Sequence, residues 1–251
     1  MMIVTTPTGR VGSQVLHRLL DGDEPIRVIV RGRSRLDARV VGHVDIVEGS
    51  HDDLRVLDRA LAGADSLFWL VPPSFDVDSP EIERTGVNYR ALSMPVYMDN
   101  LLDQVTSIRD HGVFLYPFDA DRLLASVATR DIAHAVAPLL ADGSWDGQEH
   151  LPVFGPDRLS LDAMAEVISD VLDTTVTYRQ VGVDDVARQL AQAGANEAVV
   201  RGMTEMMRAQ NDGIYDEDQS QAVPGPTSFQ AWCADVLRPA AQRTSDSRAV
   251  R

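Results

Sequence analysis

Residues 3–20, IVTTPTGRVGSQVLHRLL, decide the class of fold. Ile3 to Thr5 read as a short buried strand, and Arg10 to Leu20 read as a helix because Val11, Val15 and Leu19 recur at helical spacing. Between them stands Thr6-x-x-Gly9-x-x-Gly12, where a dinucleotide-binding fingerprint carries three glycines. Gly9 lets backbone approach a pyrophosphate, Gly12 lets the helix pack close to the sheet, and NH groups at the helix start attract phosphates. Thr6 replaces the first glycine, so the tight turn must be made with a side chain present. Pro7 removes one donor NH, which Thr8 and Arg10 can restore through a hydroxyl and a guanidinium. A two-glycine match is equally compatible with an ordinary strand-to-helix turn.

Outward from this turn, the N-terminal third alternates strand and helix signals. Ile26 to Val30 is a β-branched run after a turn at Gly22 to Pro25, and Val44 to Val47 is another. Ser50-x-x-Asp53 reads as a capping box, with Leu54, Leu57 and Leu61 as the helical stripe that follows. Ala64 to Val71 reads as a fourth strand ending at Pro72-Pro73. The order is β-α-β-β-α-β, with a weak or missing helix between Arg31 and Gly42. Parallel strands joined by crossovers predict a doubly wound, Rossmann-like α/β sheet, its ligand at the carboxyl ends of the strands. Those ends are Thr5 to Gly9, Val30 to Arg33, Val47 to Ser50 and Leu70 to Ser74. After the second strand, RVIVRGRSR offers Arg31, Arg33, Ser34 and Arg35 where an NAD-preferring protein places an acidic residue. Such a set suits a 2′-phosphate and predicts NADP(H); a solvated basic loop is the alternative reading.

The chain has 251 residues, 44% hydrophobic and 24% charged, enough for a nucleotide-binding domain with a smaller appendage. A formal charge of -15 argues against general affinity for nucleic acid or a membrane surface. The single cysteine, Cys233, can neither close an internal disulfide nor complete a zinc site, and fits a reducing cytoplasm. No signal peptide or membrane span is expected, since the apolar N-terminus is only a strand long. All 23 basic residues are arginines. A Walker phosphate loop, a Schiff-base mechanism and a Tyr-x-x-x-Lys pair each need a lysine, so all three are excluded in their standard forms.

Beyond residue 88, Tyr89 to Met94 read as a strand ended by Pro95, and Asn100 to Ile108 as a helix. LLASVAT, 123–129, reads as a strand before a helix opened by Arg130-Asp131, with Asp131 a helix-start carboxylate. Ser160 caps a helix marked by Leu161, Met164, Val167, Ile168 and Leu172. Val176 to Tyr178 follow as a strand, then Asp184 to Ala193 and Glu197 to Gln210 as helices. Met203, Met206 and Met207 suit either an adaptable apolar pocket or a plain core face. Residues 211–226 read as a polar loop, Thr227-x-x-Gln230 as the capping box of the last helix, and residues after Pro239 as a disordered tail. The six histidines form no metal-ligand spacing, and no structural metal is expected. The expected division is 1–148 for nucleotide binding, 149–238 for substrate, and 239–251 for the tail.

In order, IVTTPTGRVGSQVL, LVPPS, GVNYRALSMPVYMDNLL, VATRDIAHAVAPLL and FGPDRLSLDAMAEVISDVLDTTVTY resemble segments of NmrA-like proteins, an atypical branch of the short-chain dehydrogenases. The resemblance covers most of residues 1–237, and its specificity lies in the ordered set. It implies that Thr6, Pro7, Thr8, Gly9, Arg10 and Val11 hold the pyrophosphate and that Arg31 with Arg33 hold the adenosine phosphate. Ser50 would lie by the adenine, and Val71, Pro72 and Pro73 by the nicotinamide ribose. Tyr97, Met98 and Asn100 would face the reactive end of the cofactor, with Phe75 approaching from the other side; Met98 reads equally well as core. The departure lies between LVPPSFDVDSP and EIERTGVNYRALSMP, where such proteins carry a further helix and a central fifth strand, roughly forty to fifty residues and more than one crossover unit. That portion holds the superfamily's catalytic Ser and Tyr. Either a real deletion or an absent segment explains it. The resemblance implies an NADPH-dependent reductase of a small quinone-like or aromatic electrophile, or else a non-catalytic NADP(H)-binding redox sensor. A shortened sheet would also expose an edge for a homodimer.

Overall fold

Val4, Val28 and Ile29 are fully apolar positions on strands that bury both faces, which is what a parallel sheet covered by crossover helices demands. The computed structural model describes residues 1–70, 87–222 and 224–246, so the expectations placed on Val71, Pro72, Pro73 and Phe75, and on the junction at Pro80-Glu81, lie outside the described residues. In chain order the elements are β1 (Met2–Val4), α1 (Arg10–Leu19), β2 (Ile26–Val30), α2 (Ala38–Val41), β3 (Asp45–Glu48), α3 (Leu54–Leu61), β4 (Ser66–Phe68), β5 (Tyr89–Ser93) and β6 (Val96–Tyr97). A 3-10 stretch, Met98–Gln104, leads into α4 (Val105–His111), β7 (Val113–Tyr116), β8 (Leu124–Val127), α5 (Thr129–Ala141), β9 (Gln148–Pro152) and β10 (Arg158–Leu159). Then come α6 (Leu161–Leu172), β11 (Thr177–Gln180), α7 (Val183–Gln192), α8 (Glu197–Asn211), α9 (Asp216–Gln221), α10 (Phe229–Trp232), a π-helical turn Cys233–Leu237 and α11 (Arg238–Asp246).

The first compact unit holds residues 1–70 together with 129–148. Its sheet has the order β3-β2-β1-β4, and every pair is parallel, with Ile3 opposite Arg27 on one side and Leu67 on the other. Among the described residues no strand pairs with the far edge of β4. This is the Rossmann-like α/β sheet predicted, with four strands among the described residues. Helix α1 buries Val11, Val15, Leu16 and Leu19, and packs on α5. Arg18 Nη2 lies 3.0 Å from His134 Nδ1 between those two helices, and Ser66 Oγ donates to Leu140 O at 2.8 Å. The helix between β2 and β3 is reduced to one 3-10 turn and the four residues of α2. Two expectations fail locally at α3. Its cap is Asp53, whose Oδ1 accepts from Arg55 N at 2.8 Å, so no Ser50 box forms. Its buried face is Val56 and Ala60, while Leu54 is 74% exposed. The helix starts three residues later than a Ser50 box requires, and Leu54, its first residue, is exposed.

Residues 90–128 group with 149 onward rather than within a single 1–148 stretch, and the chain comes back to the first unit at α5. The reason is its apolar face: Ile132, Ala133, Val136 and Ala137 are all buried there. The second unit holds residues 90–128 and 149 onward. It contains the strand order β10-β8-β6, with β6 parallel and β10 antiparallel to β8, the parallel pair β7 and β11, and the pair β5 and β9. Its core gathers Met98, Ile108, Phe114, Leu161, Ile168 and Trp232. Gly112 ends α4 at φ +62, and a Cβ there would stand 2.5 Å from Thr175 O, so the turn needs glycine. Ser160 Oγ accepts from Ala163 N at 3.1 Å and caps α6. Ser160→Ala is expected to cost about 1 kcal/mol, read as a lower midpoint in chemical denaturation.

Four further differences lie in this unit. The stretch read as a helix from Asn100 opens as 3-10 turns and becomes α-helical only at Val105. Residues 211–226, read as a loop, contain α9. The last helix is capped by Ser228, whose Oγ accepts from Ala231 N at 3.1 Å, whereas Thr227 is buried beside it. Residues 239–246 are helical rather than a disordered tail, because Ala241 is buried and α11 packs on α4. Burial pushes the Cys233 thiol and the Tyr178 phenol up to about 12. Both groups resist ionisation only when folded, so their contribution to stability is present below the ordinary values of 9 and 10. It is lost as pH rises towards 12. Denaturation midpoints are expected to fall from about pH 9 upward, and Cys233→Ala should delay the onset by about one pH unit.

Candidate functional site

The turn after β1 is held from below. Thr5 Oγ1 donates to Phe68 O at 3.0 Å and accepts from Leu70 N at 3.1 Å, fastening the ends of β1 and β4 together. Thr6 then takes φ +50, a left-handed conformation that costs a β-branched residue about 1–2 kcal/mol. Its carbonyl accepts from Gly9 N at 2.9 Å and closes the turn. Its Oγ1 is buried and has no hydrogen-bond partner among the described residues. Gly9 caps α1 with no side-chain bond, and the first turn of α1 contains no acidic residue. No carboxylate of α1's own first turn offsets the positive end of the helix dipole. A Cβ on Gly12 would stand 2.2 Å from Thr6 O, so only glycine lets α1 sit this close to the turn.

A cleft of about 190 Å³ runs beside the turn, lined by Pro7, Thr8, Ser13 and His17 from one side and by Arg35, Leu36, Asp37 and Val40 from the other. Thr8 and Arg10 are exposed, and Pro7 is buried. Val11 is 1% exposed, so its side chain belongs to the core and it can offer a ligand only its backbone. Arg31 and Arg33 are exposed at the end of β2 and do not line the cleft; Arg35 does. None of these three guanidiniums has an ion pair among the described residues, although Arg33 N donates to Glu48 Oε1 at 2.6 Å. Arg39 bonds the Asp37 carboxyl and holds it down to about 2, leaving one fixed anion in the cleft beside Arg35. Ser50 is half-buried after Gly49, which needs φ +148 and would drive a Cβ to 2.4 Å from Val56 Cγ2. His51 stands edge-on to Trp69 at 5.5 Å.

These features fit a dinucleotide: an uncapped helix start, an orphaned hydroxyl in the turn, a backbone cradle that a Cβ would fill, and spare arginines beyond the second strand. The sequence reading set Arg35 beside Arg31, Arg33 and Ser34 but singled out Arg31 and Arg33; the 3-10 turn that brings residue 35 to the cleft has no signature of its own.

In the second unit, Tyr97 is half-buried and its hydroxyl donates to Met94 Sδ at 3.7 Å. Burial, with Tyr215 beside it, pushes the phenol up to about 12. Asn100 is half-buried in the 3-10 stretch. Met98 is a correction: it is 1% exposed, packed in the core, and its Cε is 3.2 Å from where Gly155 would carry a Cβ. It offers no surface to a substrate. Tyr215, unforeseen, meets Phe154 edge-on at 5.9 Å; it was hidden in a stretch whose polar composition read as loop.

No protein-family model matches this chain. The (4-alkanoyl-5-oxo-2,5-dihydrofuran-3-yl)methyl phosphate reductase of Streptomyces griseus is 27% identical over 224 residues, covering 73% of this chain and 78% of that protein. The NAD(P)H azoreductase of Xenophilus azovorans is 23% identical over 247 residues, covering 82% and 86%. Each match runs over more positions than this chain's share supplies, so the relatives carry residues that it lacks. Among solved structures, a nucleoside-diphosphate-sugar epimerase of Staphylococcus aureus aligns with a TM-score of 0.75 at 16% identity, covering 93% of this chain and 99% of that one. The triphenylmethane reductase of Citrobacter sp., complexed with NADP(H), aligns at 0.72 and 17% identity, covering 96% and 100%. A mutant NmrA aligns at 0.67 and 16% identity, covering 97% of both chains. Among the described residues no helix is long and apolar enough to cross a membrane.

Proposed function

We propose that this chain, which has the fold of the NmrA-like, atypical short-chain dehydrogenases, is an NADP(H)-dependent reductase of a small electrophilic molecule. The observation that carries the proposal is the turn at Thr6–Gly12: a strained, glycine-dependent cradle opening on a helix start with no cap of its own. The coverage of two curated reductases over most of their length supports the same reading. When bound, NADPH supplies a hydride. The chain's own residues bind and orient: Thr6, Thr8, Gly9 and Arg10 on the pyrophosphate, Arg31, Arg33 and Arg35 on the adenosine phosphate, Ser50 by the adenine. For Val71, Pro72, Pro73 and Phe75, outside the described residues, a role by the nicotinamide and substrate rests on the resemblance alone. Tyr97 and Asn100 are the residues proposed to orient substrate. With its phenol pushed up to about 12, Tyr97 stays protonated at neutral pH and acts as a hydrogen-bond donor rather than a base. Without lysine, rate enhancement rests on holding nicotinamide and an already electrophilic substrate together, such as a quinone, with the final proton drawn from solvent.

Steady-state NADPH oxidation with a panel of quinones and azo dyes tests the proposal. Turnover by the pure protein supports it; tight NADPH binding without turnover overturns catalysis and favours the second reading, a redox sensor. The β4 edge, with which no strand among the described residues pairs, is the observation that favours a sensor, since the resemblance places there the strand that leads into the usual catalytic segment. A sensor must bind NADPH and NADP⁺ with different affinity, because a ligand shifts an equilibrium only through such a difference. A cytoplasmic setting accompanies either reading, on the lone cysteine, and a homodimer across the β4 edge is the assembly proposed; a monomer by light scattering at high concentration would exclude it.

A further inference from the structure

Two arginines of the second unit converge on one carboxylate oxygen. Arg122 Nη2 lies 2.7 Å and Arg158 Nη2 lies 3.0 Å from Asp216 Oδ1. Arg158 is placed by β10, which pairs Arg158 with Ala125 of β8, and Arg122 by a turn in which its NH donates to Asp119 O. Two guanidiniums share a single oxygen of one carboxylate, and Arg122 Nε is buried with no hydrogen-bond partner among the described residues. Three nearby carboxylates have partners of their own. Asp157 Oδ2 accepts from Phe229 N, Asp119 accepts from Asn211 and Gln180, and Asp218 Oδ2 accepts from Ser93 Oγ with His150 Nε2 3.6 Å away. Asp216 itself is 44% exposed and begins the six-residue α9, directly after Tyr215, whose ring meets Phe154 and neighbours Tyr97.

We infer that Arg122 and Arg158 form a binding site for the phosphate group of a phosphomonoester, with Asp216 as an internal anion that the phosphate displaces. A phosphomonoester carries nearly two negative charges at neutral pH and three acceptor oxygens, against one charge and one engaged oxygen for Asp216. Guanidinium forks match such a group, and the orphaned Arg122 Nε gains the acceptor it lacks. Displacement needs only the half-exposed Asp216 side chain to rotate into solvent. Because Asp216 follows Tyr215, a phosphate held there would leave the rest of the molecule beside the aromatic rings of Tyr215, Phe154 and Tyr97. This deepens the reductase proposal, on which it rests, by naming the substrate class: a planar electrophile with a phosphate arm.

Calorimetric titration of the cofactor-free protein with phenyl phosphate at pH 7.5 tests the site, repeated with saturating NADP⁺ to block the cleft beside α1. Wild-type binding is expected. Asp216→Asn should tighten it about tenfold by removing the competing anion, and the pair Arg122→Gln with Arg158→Gln should weaken it at least about tenfold. Affinity should also drop as pH falls through about 6, where the phosphate takes up its second proton. Unchanged affinity in Asp216→Asn, or wild-type affinity in the double glutamine variant, overturns the inference. If the double variant does not fold, Arg122→Lys with Arg158→Lys, which keeps the charge but loses the fork, is expected to weaken binding by several-fold, and equality with wild type overturns it. Failure here with quinone turnover intact leaves the reductase proposal standing. Phosphate binding without any turnover removes the reductase and leaves the anion site.

Discussion

Gly12→Ala is expected to abolish tight NADPH binding and to lower stability by about 1–3 kcal/mol, the usual cost of forcing a methyl into a packed site. Helix propensity argues the other way, since alanine in a helix interior gains about 1 kcal/mol over glycine. The geometry decides between them. The added Cβ would stand 2.2 Å from Thr6 O, 2.9 Å from Thr6 C and 3.0 Å from Thr5 O, all of them backbone atoms that cannot rotate away. Either α1 lifts from the sheet or the Thr6 turn opens, and both move the helix start from the place where its NH groups converge. Gly32→Ala is the control, with nothing within 4 Å of the new methyl, and should leave binding and stability near wild type. Thermal melts and NADPH titrations of the two variants check the contrast; an unperturbed Gly12→Ala would mean that α1 does not lie against the turn.

Replacing Arg31 and Arg33 together by alanine is expected to weaken NADPH roughly a hundredfold and NADH little, because each charge-assisted bond to a phosphate contributes about 1.5–3 kcal/mol. Glu48, which accepts from Arg33 N, places a carboxylate next to the incoming anion, so the loss of guanidinium charge leaves net repulsion. Arg35→Ala divides the effect: Arg35 lines the cleft that Arg31 and Arg33 only approach, and a larger loss in Arg35→Ala than in the pair would make it the principal phosphate contact. Arg10→Ala should weaken both cofactors about equally, since it stands at the pyrophosphate end. Unchanged NADPH affinity in all of these variants would remove the 2′-phosphate from the proposal.

The first unit was legible because each of its signals is local. Ile3 to Thr5, Ile26 to Val30 and the Val11-Val15-Leu19 stripe are set by side-chain type and period, and the structure places the last two as read and the first one residue earlier, at Met2–Val4. The face of α3 was not legible: Val56 and Ala60 are less conspicuous than three leucines, and which stripe is buried depends on where Asp53 starts the helix. Composition misled at 211–226 and 239–246, where polar segments are helical because Tyr215 meets Phe154 and Ala241 is buried. In the sites, the glycines and the left-handed Thr6 turn follow from the spacing of the motif. Met98 and Arg35 do not, because neighbours in sequence say nothing about which of two adjacent side chains faces a core and which a cleft.

By itself, then, the sequence determined the parallel crossover sheet, the glycine-bearing turn after its first strand and the arginine-rich end of the second strand, all properties of short segments with their own periodicity and chemistry. Tertiary structure alone decided that α5 returns to the first unit, that Met98 is core, and that Arg122, Arg158 and Asp216 meet. The physical reason is separation along the chain. Those three residues are brought together by strand pairing and helix packing over dozens of positions, and burial and charge pairing at such range are fixed only when the whole apolar surface has found its partners.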